Sequence, residues 1–131
     1  MSMGVGVLLE EEDRAEGKTA RTRPVDLVHL ARHTMGNRAL EREVLELFLM
    51  QSELYLERLD QAANDKAWRD AAHTIKGSAR GIGAWHLASC AEQAEALKGA
   101  ELEQHRQEFL DALQAMIGET NRYIRLLLTD A

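Results

Sequence analysis

Between residues 68 and 82 the apolar and charged side chains of this chain separate onto opposite sides of a helix. At about 100° per residue, Trp68, Ala71, Ala72, Ile75, Ala79 and Ile82 fall on one arc, while Arg69, His73, Lys76, Gly77 and Arg80 fall on the other. A helix with one apolar face needs neighbours to bury it. The same placement turns His73 toward water.

The rest of the chain supplies those neighbours. Pro24 suits a first helical turn, where its missing N–H has no intrahelical partner to lose. A short helix is predicted from there to Met35, with Leu27, Leu30, Ala31 and Met35 inward and Gly36-Asn37 as its end. Asn37 is a good N-cap for a long helix to about Ala63. Its main apolar stripe is Leu40, Val44, Leu47, Phe48, Leu54, Tyr55 and Leu59, and Leu45, Leu49 and Leu56 form a second face. Packing of the short helix over that second face is the economical expectation; a docking or dimer surface is the alternative.

Asn64-Asp65 caps the helix that carries His73, which is predicted to end near Ile82. Trp68 is expected as a core anchor. A fourth helix, Ala84 to Lys98, turns Leu87, Cys90, Ala91, Ala94 and Leu97 inward, and Gly99 stops it. The last, from about Glu101 to Thr129, repeats Leu102, Phe109, Leu113, Met116, Ile117, Tyr123, Ile124 and Leu127 at helical period. Amphipathic helices joined by short turns have a ready solution, the antiparallel four-helix bundle. The predicted fold is therefore all-α: a four-helix bundle over residues 24–131 with a short additional N-terminal helix. Residues 1–23 combine Gly4, Gly6 and Gly17 with an apolar patch and the acidic run Glu10-Glu11-Glu12-Asp13, a pattern expected of a flexible tail.

Composition agrees: aromatics are 5%, charged residues 29%, and there is one proline. A formal net charge of -6 argues against nonspecific attraction to nucleic acid or anionic membrane. The single cysteine, Cys90, cannot form an intramolecular disulfide and suits a reducing, cytoplasmic setting. No apolar run approaches the roughly 18 residues that span a bilayer. His29 and His33 stand four apart, but nothing completes a metal site around them, and no inward Glu-x-x-His pair suggests a metal enzyme.

His73 is the chemically active candidate. A neutral imidazole carries a nucleophilic lone pair near neutral pH, and the surrounding cations would stabilise an anion. Gly77 leaves space beside the ring, at a cost of about 0.5–1 kcal/mol in helix stability. A neighbouring helix is expected to orient the ring through its other nitrogen, and Glu92 and Glu95 are close enough in register to do so.

The run His73-x-x-Lys76-Gly77-Ser78, with Gly83 ten positions after the histidine, resembles the signature of histidine-containing phosphotransfer (HPt) domains of two-component phosphorelays. The resemblance implies a four-helix bundle in which His73 accepts a phosphoryl group from a receiver-domain aspartate and passes it to another. It implies Lys76 as the cation near the phosphoryl group, Gly77 as the clearance residue, and Ser78 and Gly83 as packing positions. Arg80 and Gly81 depart from the small or amide residues usual there; Arg69 and Arg80 are candidates for partner docking. The chain has no glycine-rich nucleotide loop, so the phosphoryl group is expected to arrive from partners: receiver domains, and a hybrid histidine kinase behind them. Mg²⁺ is expected in the receiver and no cofactor in this chain, which is expected to be a monomer.

Overall fold

The structure, a computed structural model, describes residues 23–130. The expected tail lies outside them except for Arg23. The described residues form five helices: α1 (Leu27–His33), α2 (Arg38–Asp60), α3 (Asp65–Gly81), α4 (Trp85–Glu95) and α5 (Gly99–Asp130). Helix α2 packs against α3 and α5, and α4 packs against the same two, which closes a ring of four around one core. Contacts run Ser52 to Asn121 and Arg42 to Leu128 between α2 and α5, and Trp68 to Ala94 between α3 and α4. Both pairs are antiparallel, and the bundle is all-α as predicted.

Side-chain caps fix the starts of three helices. Asn37 accepts the N–H of Leu40 and Asn64 that of Ala67, the capping expected of both. Asp26 does the same for α1 through the N–H of His29, so that helix begins later than predicted and Pro24 precedes it. Helix α1 ends at His33; Met35 then takes a positive φ of 53° and is 92% exposed, not inward as expected, because the chain is already turning toward α2. Helices α2 and α4 end short of Ala63 and Lys98. Gly99 has a φ of 60° and donates its N–H to Asp65, so it makes the turn that opens α5.

Trp68, Ala72, Ile75, Ala79 and Ile82 of the α3 arc are all buried, and the Trp68 indole donates to the Ala94 carbonyl at 2.7 Å. Cys90, Leu87, Ala91 and Ala94 are buried from α4, and burial pushes the Cys90 thiol up. On α5, Leu102, Leu113, Ile117 and Ile124 are buried as expected, joined by Leu110, while Phe109, Met116, Tyr123 and Leu127 are half-buried.

Helix α2 departs from its predicted orientation. Its buried residues are Leu45, Phe48, Ser52 and Leu59, whereas Leu40, Leu47 and Leu54 of the expected main stripe are exposed. Leu45, assigned to the second face, lies with Leu27 and Leu30 of α1 and Leu127 of α5 along one cleft. The helix carries leucine on more than one side, and packing α1 and α5 onto the Leu45 side rotates the other leucines outward.

A second seam ties α1 to the turn between α3 and α4. Gly83 has a φ of 74°, and a Cβ there would lie 2.8 Å from the Asp26 Cβ. The Asp26 N–H donates to the Gly83 carbonyl at 2.9 Å and its carboxylate accepts the Trp85 indole N–H, also at 2.9 Å. Burial raises the Asp26 pKa, but the Trp85 bond and the N–H groups of His29 and Val28 outweigh that and hold it below its ordinary value.

Candidate functional site

Helix α3 presents His73 with its side chain 66% exposed. Antiparallel packing of α4 sets Glu95 opposite it: the imidazole Nδ1 is 2.8 Å from Glu95 Oε2. The other oxygen of that carboxylate, Oε1, is 2.7 Å from Lys76 Nζ. One glutamate thus joins the histidine to a lysine three residues further along α3.

The electrostatics decide the ring's tautomer. The Lys76 ammonium beside it, helped by His73 and only partly opposed by burial, holds Glu95 below the ordinary carboxylate range. It is therefore ionised near neutral pH and can only accept hydrogen bonds. Nδ1 must carry the proton that faces it, which leaves the lone pair on Nε2, the nitrogen on the far side of the ring.

Lys76 is not free on the surface. Its side chain is 13% exposed and its ammonium is committed to Glu95, one step back from the ring. Glu92, the other orienting candidate, does not meet the imidazole: it lies 3.4 Å from Arg80. It precedes Glu95 by about five-sixths of a turn of α4, and the α3–α4 crossing puts that position opposite Arg80. Arg69 is exposed one turn before His73 and has no ion pair among the described residues.

Gly77 is exposed, and a Cβ added there would meet nothing within 4 Å. The interior of the protein does not require glycine at this position; its effect is to leave room outside, beside His73. Ser78 is half-buried and, with Gly81, lines an apolar groove of about 300 Å³ whose far wall is Leu40, Val44 and Leu47 of α2. Gly81 lies about 12 Å from His73 along the α3 axis. Gly83 packs on Asp26, as already described. The apolar pattern of α2 does not show this groove, because it places Leu40, Val44 and Leu47 in the core.

Among the described residues no group of three His, Cys, Asp or Glu side chains could hold a metal ion, and no helix is long and apolar enough to cross a membrane. The His29 and His33 rings lie against one another at a tilt of 45°, with centroids 4.5 Å apart, and His29 meets Trp85 edge-on.

No curated protein and no solved structure matches the chain. A family model described as "Hpt domain" matches residues 43–123, a span that runs from within α2 into α5 and contains both His73 and Glu95. With well over half of its length matched and a helical bundle presenting the signature histidine to solvent, the chain belongs to the Hpt domain family, whose work is histidine phosphotransfer between two-component partners such as receiver domains.

Proposed function

We propose that His73 is the phospho-acceptor and that its Nε2 is the attacking atom. The observation that carries this is the Nδ1 contact with Glu95 on an otherwise exposed ring. The Nε2 lone pair attacks the phosphorus of a receiver's aspartyl phosphate in line. The N–P bond forms as the P–O bond to the aspartate breaks, and the aspartate leaves as a carboxylate. The proton stays on Nδ1, where the Glu95 carboxylate stabilises the positive charge that the ring acquires. Transfer to a second receiver is the reverse of this step.

Lys76 acts through Glu95, holding its carboxylate ionised and in place. Arg69, unpaired and on the same face, is the cation available to the phosphoryl oxygens. The receiver brings its acidic pocket and Mg²⁺. Its docking surface is the open ground around Gly77, extended by the apolar groove between α2 and α3. A hybrid histidine kinase stands upstream as the source of the phosphoryl group, and the chain works as a cytoplasmic monomer because its core closes within one copy.

The test is label transfer from a purified, phosphorylated receiver. Wild type takes up label that is acid-labile and alkali-stable. The His73→Gln variant takes up none and keeps its helicity and melting temperature, because the side chain is exposed. Label on the variant, or none on wild type across the purified receivers of the source organism, contradicts the proposal; in the latter case the bundle is a non-phosphorylated interaction module.

A further inference from the structure

Arg80 follows His73 by seven residues, about 10 Å further along α3 and on the same side of that helix. Among the described residues its guanidinium meets one carboxylate: Nη2 donates to Glu92 Oε2 at 3.4 Å, and the two side chains are 51% and 59% exposed. The neighbouring pair is different in kind. Lys76 and Glu95 meet at 2.7 Å, and both side chains are largely sheltered. A long, exposed ion pair holds its members weakly, whereas a sheltered one is little screened by water and salt. Lys76 is therefore committed to its glutamate, and Arg80 is available to another acceptor.

The surroundings of Arg80 place that acceptor on a docked protein. A guanidinium carries five N–H donors in a planar fork that matches a carboxylate with two bonds at once, and Glu92 takes only one of them. Gly77, three residues before Arg80, and Gly81, next after it, add no side chain to the surface around it, and a Cβ at either would meet nothing within 4 Å. Gly81 and Ser78 line the apolar groove whose far wall is Leu40, Val44 and Leu47. Arg80 thus stands beside both the histidine and the groove. It is also the basic residue in the last turn of α3, where a cation suits the helix dipole. Lysine would meet that need equally well, since it requires charge and no fork.

Resting on the phosphotransfer reading of His73, we propose that Arg80 selects the receiver. It leaves Glu92 to pair with a carboxylate that the correct receiver carries outside its acidic pocket, about 10 Å from the phosphorylated aspartate. Glu92 is the internal competitor: it holds the guanidinium against α4 until a better-placed carboxylate replaces it. A receiver with lysine or arginine opposite Arg80 meets like charge and is rejected.

The test uses the full chain carrying His73→Gln, so that docking is read without transfer, and measures its Kd by calorimetric titration against the purified receivers of the source organism. For the receiver that binds most tightly, adding Arg80→Glu should weaken binding by about tenfold or more, because it reverses the charge. Adding Glu92→Gln should tighten binding by about threefold, because it removes the competitor. Arg80→Lys should weaken it by about threefold, because the fork is lost. A role confined to the end of α3 would leave the three affinities equal and appear in melting temperature alone. Equal affinities, weaker binding by Glu92→Gln, or no saturable binding by any receiver would overturn the proposal. Failure of the His73-containing protein to take up label while these affinities behave as expected would count against the phosphotransfer reading and leave the selection by Arg80 standing.

Discussion

The α3–α4 face and the α2–α5 face each carry several carboxylates, and they handle charge in opposite ways. On the first, Glu95 is held by His73 and Lys76, Glu92 by Arg80, and Asp70 by Lys66. On the second, Glu53, Glu57 and Asp60 stand without cationic partners. A short, sheltered pair fixes a geometry, and a nucleophile that must meet an incoming phosphorus in line needs a fixed geometry. Unpaired exposed charges fix none. The two faces therefore differ in what they can do: one presents a prepared atom, the other only solvated charge.

The largest expected effect that would break this contrast is at Glu95. In Glu95→Gln the amide can donate to Nδ1, which favours the tautomer with the proton on Nε2 and removes the attacking lone pair. Transfer rates should fall by about 100-fold, while Glu95→Asp recovers part of the rate. An unchanged Glu95→Gln rate would mean that the pairing is structural decoration.

At Gly77 stability and function should separate. Gly77→Ala is expected to raise stability by about 0.5–1 kcal/mol, a rise of about 4 °C in melting temperature. Gly77→Phe should slow transfer roughly tenfold or more by displacing the docked partner, with helicity retained. Equal transfer by the Phe variant would remove the clearance argument.

A smaller effect concerns pH. Glu95 has a folded pKa below its ordinary value of 4.5, because of Lys76 first and His73 next. A depressed carboxylate contributes stability above its unfolded pKa and loses it as pH falls through the folded one. Wild type should therefore lose melting temperature below about pH 4.5 more steeply than Glu95→Gln does, and parallel curves would contradict the pairing. The smallest effect sharpens the contrast from the other side: Glu57→Lys on the α2–α5 face should change the phosphotransfer rate by less than about twofold, since surface charges at this remove are screened.

How much of this could be read from residues alone depended on how narrow each helix's apolar face is. Helix α3 has one compact arc, and Trp68, Ile75 and Ala79 went to the core with His73 outward. Helix α2 has leucines on several sides, and the wheel does not say which side the neighbours will cover; Leu40 and Leu47 were placed inside and line a surface groove instead. Polar core residues are invisible to an apolar pattern, so Ser52 and Asn121 were missed. Asp26 was missed because it is defined by Gly83 and Trp85, which are distant in sequence. Glu92 and Glu95 lie about 60° apart on the wheel, and only the α3–α4 crossing tells which of them meets the imidazole.

The central claim is that Glu95 holds the proton on Nδ1 and leaves Nε2 to take the phosphoryl group. Nuclear magnetic resonance of ¹⁵N-histidine-labelled protein, phosphorylated by a receiver, reads this directly through phosphorus–nitrogen coupling in the His73 ring. Coupling to Nε2, with Nδ1 still protonated, is the predicted result; phosphorus on Nδ1, or on a residue other than His73, would contradict the account.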